Sequence, residues 1–286
     1  MPTYNTDPAQ LRAAIDSILA QTFADFEFLI IDDGSTDEEV GKTIAAYSDK
    51  RIKFTVNEKN LGISNTRNKL IELAKGEYIA IFDHDDISLP QRLEKQVEFL
   101  DTHLDIGVVG SYVKTSPRGK LKIYPLESRD IEQMLACDKN YLLHPATMIR
   151  KNILVQNNIQ YNAKFTPAED YDFFSQLIGI TKFANIPEIL FIYRWNRQNT
   201  SYKQGYKAEA AANAIKAGIQ KKHPALYLEA QTRLIKTDYY RLFGLIPIFS
   251  VRRQYGKTFY LLFGFFPLLK CKSRESVNWG KKRKGK

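Results

Sequence analysis

Three carboxylates follow a short apolar run in the stretch IAIFDHDDISLP, which covers positions 79–90. Asp83, Asp85 and Asp86 are so close in sequence that their charges repel one another. A divalent cation would make this arrangement favourable, because Mg²⁺ and Mn²⁺ prefer oxygen ligands and Mg²⁺ typically combines one or two carboxylates with phosphate oxygens. Alternatively, Asp83 caps the region near Pro90 and the others are solvated loop charges. A D-x-D pattern alone is a weak signal, but here an apolar strand pattern precedes it and a helix start follows it.

A second acidic pair, Glu169 and Asp170, lies in PAEDYDF just before a predicted helix. A carboxylate within hydrogen-bond reach of a hydroxyl can act as a general base. Acidic residues are also common at helix N-termini, where the helix dipole stabilises negative charge. Taken alone, the pair favours this second interpretation.

The elements that must position these carboxylates alternate between strand and helix patterns in the first half of the chain. Helices are predicted after Pro8, before Gly76 and from Pro90 to about Leu100. The predicted strands are FEFLII (26–31), IKFTV (52–56), EYIAIF (77–82) and VVGSYV (108–113). This alternation predicts an α/β fold with a doubly wound, mostly parallel sheet, whose ligands bind at the carboxyl ends of the strands. Asp32 and Asp33 follow such an end, as do the three carboxylates of the DHDD stretch.

The second half predicts strands at ATMIR and FANIPEILFIYR and a helix around positions 209–217. Near the C-terminus YRLFGLIPIF (240–249) recurs as YLLFGFFPLL (260–269). The net charge is +10, but residues from Ser201 onward contribute +15 and the preceding residues −5. This basic, aromatic region suits the interface of a membrane with anionic headgroups. The alternative is a C-terminal helical hairpin that packs on the body, followed by a solvated tail.

Other features of the sequence limit the class of protein. No apolar run reaches the roughly 20 residues that a membrane-spanning helix needs, and no signal-peptide pattern opens the chain. The two cysteines, Cys137 and Cys271, form neither a disulfide framework nor a paired metal-ligand spacing, which favours a reducing compartment. No nucleic-acid-binding motif accompanies the basic tail, so nucleic acid is not expected as a partner.

Six segments, in this order along the chain, resemble the family 2 inverting glycosyltransferases of the GT-A fold. They are MPTYN, LRAAIDSILAQTFADFEFLIIDDGSTDE, NLGISNTRN, AKGEYIAIFDHDD, LPQRLEKQVEFL and AEDYDF. The resemblance covers about residues 1–201 and implies a Rossmann-like GT-A catalytic domain there. Its nucleotide-binding part would span about 1–115 and its acceptor part about 116–201, followed by a helical, basic C-terminal region over 202–286.

The resemblance also implies roles for individual residues of the donor site. Asp33, or its neighbour Asp32, would bind the base, usually uracil, and Arg67 would lie near the phosphates. Asp85 would bind Mn²⁺ or Mg²⁺, with Asp83 in the same metal shell or at the ribose. The remaining nucleotide-sugar-binding residues would be Pro2, Thr3, Tyr4, Asn60, Gly62, His84 and Asp86.

On the acceptor side, the resemblance implies that Asp170 is the catalytic base and that Glu169 contacts the acceptor. His144 would have an acceptor or diphosphate role, although a histidine beside proline is more often structural. A flexible segment with Arg194, Trp195 and Arg197 would close over the donor; Trp195 could equally stack on a sugar or fill the core.

Two features depart from the family pattern. Family members have several apolar strand residues before the position of MPTYN, so we expect most of the first, central strand to be missing here. The chain also lacks a Q-x-x-R-W motif, which favours addition of a single sugar over processive polymer synthesis.

The sequence therefore predicts a metal-dependent inverting hexosyltransferase that uses a nucleotide-sugar, with a UDP-hexose as the expected donor. Its expected acceptor is a lipid-linked oligosaccharide in the biosynthesis of capsule, O-antigen or exopolysaccharide. The expected location is the cytoplasmic face of the cell membrane, as a peripheral protein on an anionic surface. The alternatives are a sugar-nucleotide nucleotidyltransferase, for which the N-terminal region lacks a Gly-rich basic loop, and a degenerate family member that binds without turnover.

Overall fold

The computed structural model describes residues 1–195, 205–242, 246–254, 257–262 and 266–272. The chain divides into two compact units. One contains Met1–Glu132 with Asn140–Ile215, and the other contains Gln133–Lys139 with Lys216–Lys286. The predicted boundary at residues 201 and 202 stays a prediction.

The helices and strands of the described residues have the following bounds. The helices are α1 (Pro8–Leu19), α2 (Glu39–Ala45), α3 (Ile63–Leu73), α4 (Arg92–Thr102), α5 (Ser128–Cys137), α6 (Lys151–Gln156), α7 (Glu169–Gln176), α8 (Gly205–Lys222) and α9 (Pro224–Leu234). The strands are β1 (Pro2–Thr3), β2 (Phe28–Asp32), β3 (Ile52–Val56), β4 (Tyr78–Ala80), β5 (Ile87–Ser88), β6 (Ile106–Ser116), β7 (Leu121–Lys122), β8 (Met148–Arg150), β9 (Lys182–Arg194), β10 (Ile235–Leu242), β11 (Ile246–Gln254), β12 (Lys257–Leu262) and β13 (Phe266–Lys272).

Helix α1 shows how local sequence sets these bounds. The Asp7 side chain accepts a hydrogen bond from the Gln10 N–H at 2.9 Å, and Pro8 occupies the first helical position, where its missing N–H costs nothing. The apolar residues that recur at helical spacing point into the core. Its buried positions are Leu11, Ala14, Ile15 and Ile18.

The first unit contains two sheets. Strands β1, β2 and β3 form a parallel sheet, in which Pro2 pairs with Ile31 and Phe28 with Ile52. The other sheet has the order β4-β8-β6-β9-β5, with β7 paired to β6. Among the described strands of this sheet, β6 and β9 run parallel and the other pairs are antiparallel. The α/β fold with a parallel sheet is thus confirmed, and the antiparallel pairs come from strands further along the chain.

Strand β1 contains two residues, Pro2 and Thr3. The Met1 ammonium donates to the Leu29 carbonyl at 2.7 Å. Burial lowers the pKa of this amine to about 5. Beside Met1 lies a cavity of about 790 Å³, bordered by residues 25–29 on one side and residues 76–82 on the other.

The second unit corrects the prediction of an entirely helical C-terminal region. Helices α8 and α9 are present, but β10 to β13 form a four-stranded antiparallel sheet in place of a helical hairpin. The described residues of the two decapeptide copies pair in the same antiparallel way: Tyr240 pairs with Phe249 and Tyr260 with Leu269, with a register shift after each tyrosine. Aromatic and β-branched residues, with glycines between the strands, favour strands over helices here.

None of the helices in the described residues is long and apolar enough to cross a bilayer. The basic KKRK stretch of the predicted membrane contact lies outside the described residues, as does Arg197.

Candidate active site

The three carboxylates of the DHDD stretch lie between β4 and β5, at the carboxyl end of β4. Asp86 is 1% exposed. Its Oδ1 accepts the Arg194 N–H at 2.8 Å, whereas its Oδ2 has no hydrogen-bond partner among the described residues. Burial, together with the charges of Asp85 and Asp83, raises the pKa of Asp86 well above its usual value. Burial likewise raises the pKa of Asp85, against the opposing effect of His84.

Asp83 differs from its two neighbours because it has a cationic partner. Arg67 Nη2 donates to Asp83 Oδ1 at 2.9 Å. Although burial alone would raise the pKa of Asp83, the guanidinium holds it below its usual value. The cluster thus combines one ionised carboxylate with two whose negative charge is disfavoured in this environment.

Arg67 also contacts the second acidic pair. Its Nη1 donates to Glu169 Oε1 at 2.9 Å, and only 10% of the arginine side chain is exposed. The Glu169 Oε2 is buried and has no hydrogen-bond partner among the described residues. One guanidinium therefore joins the two acidic motifs, which are far apart in sequence. The predicted contact of Arg67 with phosphates stays a prediction.

Asp170 follows Glu169 at the start of α7, where the first-turn position favours an acidic residue. Its Oδ1 accepts the Tyr171 N–H at 2.8 Å. Burial and the neighbouring charge of Glu169 raise the pKa of Asp170 to about 6, against the opposing effect of Arg67. A carboxylate with such a pKa can both take up and release a proton near neutral pH.

The loop after β3 is fixed by Asp33, which is 4% exposed. Its Oδ1 accepts from the Asn57 amide at 2.8 Å and from the Leu61 N–H at 2.9 Å, and its Oδ2 accepts the Gly62 N–H at 2.9 Å. The φ of Gly62 is +83°, a backbone conformation that glycine adopts without strain. Asp33 therefore holds the loop that contains Asn60 and Gly62.

Asp32 and the residues after β1 form an adjacent set of contacts. Asp32 Oδ1 accepts from the Ser35 N–H at 3.1 Å and from the Ser35 hydroxyl at 2.5 Å. Thr3 and Thr6 share a hydrogen bond of 2.6 Å between their hydroxyls, and Thr6 Oγ1 lies 3.1 Å from His84 Nδ1. Burial lowers the pKa of His84. Pro2 and Thr3 are buried, and Tyr4 is exposed.

His144 lies in a buried aromatic cluster. Its Nε2 is 2.7 Å from the Tyr161 hydroxyl, and its ring contacts Phe174 edge-on. Burial, reinforced by Arg67, lowers the pKa of His144 to about 3, so the imidazole is neutral at physiological pH. The Tyr161 ring lies 5.5 Å from the Arg67 guanidinium carbon. The predicted role of His144 toward the acceptor or the diphosphate stays a prediction.

The end of β9 places the remaining predicted residues. The Arg194 guanidinium donates to the backbone carbonyls of Asp85 and Gln10, at 2.5 and 2.9 Å. Trp195 is 39% exposed, and the guanidinium carbon of Arg118 lies 5.3 Å from its ring centroid. In this structure the Arg194 side chain therefore binds and stabilises the backbone of the acidic loop.

The structure also identifies residues that the sequence reading missed. Asn57 contacts Asp33 and follows β3 directly, so the rule about carboxyl ends of strands could have found it. The sequence marks Thr6 only by its position just before the helix that begins at Pro8, and no motif marks Tyr161. Among the described residues there is no preassembled group of three acidic, histidine or cysteine metal ligands.

Comparison with known proteins identifies the class to which this fold and site belong. Residues 1–165 match the family model described as glycosyl transferase family 2. An uncharacterised glycosyltransferase of Methanocaldococcus jannaschii is 37% identical over 207 residues, which covers 70% of this chain and 71% of that protein. The chain belongs to glycosyl transferase family 2.

One further relative and two solved structures are similar to this chain. The amylovoran biosynthesis glycosyltransferase AmsE of Erwinia amylovora is 28% identical over 265 residues, 89% of this chain and 96% of that protein. S. aureus TarS in complex with UDP-GlcNAc has a TM-score of 0.64 at 18% identity, covering 81% of this chain and 71% of that chain. The mannosyltransferase PcManGT of Pyrobaculum calidifontis, in complex with GDP-Man and Mn²⁺, has a TM-score of 0.60 at 16% identity, covering 80% and 67%. These likenesses confirm the GT-A fold.

Proposed function

We propose that this glycosyltransferase moves one hexose from a UDP-sugar to an acceptor hydroxyl with inversion, in the biosynthesis of a polysaccharide. The observation that supports this most directly is the Arg67 bridge between Asp83 and Glu169. It brings the acidic loop after β4 beside the acidic start of α7. This arrangement supports the proposal, because a direct displacement at a sugar carbon requires the donor site and the proton acceptor to be adjacent.

The proposed donor site uses the carboxyl ends of β1, β2 and β4. Asp32 or Asp33 binds the base, and Arg67 lies near the diphosphate once the nucleotide is bound. His84 and Asp86 line the sugar side of the site. The other residues of this proposed donor site are Pro2, Thr3, Tyr4, Asn60, Gly62 and Asp83.

The donor set of the acidic loop fits a divalent cation, Mn²⁺ or Mg²⁺, held by Asp85 and Asp83. Asp86 Oδ2 lacks a hydrogen-bond partner among the described residues, and the pKa of Asp85 is raised by burial. A nearby positive charge would stabilise the ionised form of both groups. Two protein carboxylates suffice for such an ion when phosphate oxygens and water complete its shell. When bound, the ion would stabilise negative charge on the leaving diphosphate.

In the proposed sugar transfer, the side chains of the protein take part in one proton transfer. The acceptor hydroxyl approaches the anomeric carbon from the face opposite the diphosphate. As the new carbon–oxygen bond forms, the bond from the anomeric carbon to the diphosphate oxygen breaks, UDP leaves with that electron pair, and an Asp170 carboxylate oxygen takes the hydroxyl proton. Glu169, held by Arg67, orients the acceptor. His144 is proposed to have a role toward the acceptor or the diphosphate. Arg194 and Trp195 are proposed to cover the donor; Arg197, predicted to act with them, lies outside the described residues.

The acceptor is proposed to be a lipid-linked oligosaccharide at the cytoplasmic face of the membrane. The relative AmsE is named for amylovoran biosynthesis, which supports a polysaccharide pathway. The net charge of +15 from Ser201 onward supports contact with an anionic membrane surface as a peripheral protein.

The test is a screen of nucleotide-sugars, each with and without Mn²⁺, for protection against thermal unfolding and for slow hydrolysis. The expected result is metal-dependent protection by one UDP-sugar, accompanied by release of UDP. Protection without any turnover, on water or on a lipid-linked acceptor, would favour a binding protein instead. Absence of protection by every nucleotide-sugar would contradict the proposal.

A further inference from the structure

The Asp170 carboxylate has a hydrogen-bond partner from a distant part of the first unit. The side chain of Asn140 is hydrogen-bonded to this carboxylate. Asn140 lies between α5 and the short 3₁₀ helix His144–Ala146, and no sequence motif marks it. A residue outside both acidic motifs therefore contacts the proposed base directly.

The other contact of Asn140 determines which end of its amide faces Asp170. Asn140 Oδ1 accepts the Leu142 N–H at 2.9 Å, in a turn in which an asparagine side chain binds the backbone two residues further on. Because a carboxylate needs a donor and the amide oxygen cannot donate, the amide nitrogen is the group that binds Asp170. The turn and the contact with the base thus use opposite ends of one side chain.

The segment that holds Asn140 is itself fixed by packing. Leu142 is 2% exposed, and a Cβ placed on Gly110 would lie 3.3 Å from Leu142 Cδ2, so this leucine lies directly against strand β6. Two residues further on, His144 Nε2 lies 2.7 Å from the Tyr161 hydroxyl. A side chain orients another group precisely only when its own support is rigid, and this segment meets that condition.

Asp170 receives a second donor from its own helix. The Tyr171 N–H donates to Asp170 Oδ1 at 2.8 Å. A carboxylate offers about four lone-pair positions, so two donors orient it and still leave positions for an acceptor hydroxyl. Asp170 is also only partly buried, and its carboxylate remains reachable from solvent.

The charges around Asp170 show what the amide contributes. Burial and the charge of Glu169 raise the pKa of Asp170, whereas Arg67, the Tyr171 N–H and the Asn140 amide lower it. Arg67 is already shared between two other carboxylates. The amide of Asn140 carries no charge and donates at every pH.

The remaining titratable neighbours supply no positive charge. Burial raises the pKa of Tyr161 and lowers the pKa of His144, so both side chains are neutral at pH 7. A neutral donor next to the base is therefore important for its ionised form, because hydrogen bonds to charged groups are stronger than those between neutral groups.

We propose that Asn140 is a positioning residue for the base: its amide orients the Asp170 carboxylate and stabilises the ionised form that takes the acceptor proton. This inference rests on the proposed function, in which Asp170 is the general base. It adds a residue to the acceptor side of the site that neither acidic motif contains.

The test uses two variants that keep the turn but remove the donor. Asn140→Asp retains an oxygen for the Leu142 N–H and places a negative charge where the amide nitrogen was. Asn140→Ser also suits such a turn and removes the amide nitrogen without adding a charge. The matched control is Asn162→Asp, because Asn162 Oδ1 accepts the Lys164 N–H at 3.1 Å in a similar but solvent-exposed turn.

Three measurements are made on the full chain. Carboxyl ¹³C NMR, assigned with Asp170→Asn, follows the titration of Asp170. The pH dependence of UDP release is measured with the UDP-hexose that protects the parent chain, with Mn²⁺ present and water as the acceptor. Calorimetric titration with UDP measures nucleotide binding.

Asn140→Asp is expected to move the titration midpoint of Asp170 upward by about one pH unit or more, and the acidic limb of kcat by the same amount. At pH 6 kcat should therefore fall by about tenfold, and it should recover at pH 9, where the base is ionised again. Asn140→Ser should move both in the same direction by less. UDP affinity should not change in either variant, and Asn162→Asp should match the parent chain in all three measurements.

Superimposable titrations and kcat profiles for Asn140→Asp and Asn162→Asp would overturn the inference, since Asn140 would then only shape its turn. A shifted titration of Asp170 with an unshifted kcat limb would also overturn it. Both outcomes leave the proposed function intact, whereas absence of UDP release from the parent chain at every pH would overturn the proposed function and this role together. If Asn140→Asp did not fold, the shift in Asn140→Ser would decide.

Discussion

Arg67 Nη1 donates to Glu169 Oε1 at 2.9 Å, although the two residues are 102 positions apart. The other end of the guanidinium donates to Asp83 at the same distance. An arginine suits this position because its planar fork can bind two carboxylates at once, which a lysine ammonium cannot match geometrically. The relative position of the two acidic motifs therefore depends on one buried side chain.

Replacing Arg67 with glutamine is expected to destabilise the protein by about 3–5 kcal/mol, because it leaves Asp83 and Glu169 buried without their charge partner. Urea unfolding measures this loss. Lys182→Gln is the control, since Lys182 pairs with Asp105 at the exposed surface and its removal should cost much less. Equal losses for the two variants would show that the bridge contributes little.

The Arg67 charge should also be visible in the pH dependence of transfer. Arg67 lowers the pKa of Asp170, so Arg67→Lys, which keeps the charge, should leave the acidic limb of the kcat profile near its original pH. Arg67→Gln should move that limb to higher pH, because the base then remains protonated over a wider range. Profiles with the same limb in both variants would contradict this electrostatic role.

Asp170→Asn is expected to reduce kcat by about 10²–10⁴-fold while donor binding persists, since general-base catalysis contributes about this much. Asp172→Asn, in the same helix, is the control. Calorimetric titration with a UDP-sugar separates the two effects. Retained turnover in Asp170→Asn would remove this residue as the base.

The same substitution gives a stability prediction whose sign follows from the pKa. Folding raises the pKa of Asp170 from 3.8 to about 6, so the folded state holds the proton more tightly than the unfolded state. The contribution of Asp170 to the free energy of unfolding is therefore greatest below pH 4, and it decreases as the pH rises to about 6. Asp170→Asn should be more stable than the parent chain at pH 7, and the difference should vanish near pH 3.

Much of the fold follows from local sequence pattern. IKFTV corresponds to β3 with the same bounds, and the Pro8 helix begins where its cap predicts. These elements are predictable because their apolar period and caps are encoded within a few residues. The region after Ile235 was wrongly predicted as helical, because short apolar, aromatic runs have no period that separates strand from helix.

Contacts between distant residues could not be predicted in the same way. Nothing in the sequence near Arg67 indicates that it faces Glu169, or that His144 meets Tyr161. Such pairs depend on how strands are ordered, and that order is set by packing of the whole unit. The acidic residues themselves could be predicted, because they stand at the carboxyl ends of apolar strands.

Asp85→Asn is expected to abolish the Mn²⁺-dependent part of UDP binding, since Asp85 is the proposed ligand whose ionised form needs a nearby cation. Calorimetric titration of UDP with Mn²⁺ and with EDTA measures that part. In the parent chain, EDTA should weaken UDP binding; in the variant, it should have no further effect. An unchanged affinity in the presence of Mn²⁺ would contradict the assignment.

The basic C-terminus offers a prediction about membranes. Deleting the six residues after Gly280 removes five positive charges and should weaken binding to vesicles that contain anionic lipid. The loss should be larger at low salt, because screening already weakens the attraction at high salt. Vesicle sedimentation measures the bound fraction, and neutral vesicles are the control. The same bound fraction for both chains at low salt would leave no membrane role for this tail.

Gly34 connects backbone geometry to the donor site. Its φ is +71°, and a Cβ placed there would lie 2.8 Å from the carbonyl carbon of Lys59, so Gly34→Ala must displace the loop before Asn60. We expect a loss of stability above about 1 kcal/mol, from strain at positive φ together with this clash. UDP binding should weaken in parallel, because Asp33 would lose its contacts with Leu61 and Gly62.

Gly41→Ala is the matched control: a Cβ there meets nothing within 4 Å, and its place in helix α2 favours alanine by about 0.5–1 kcal/mol. If Gly34→Ala bound UDP as tightly as Gly41→Ala does, the loop between Lys59 and Gly62 would not be part of the nucleotide site.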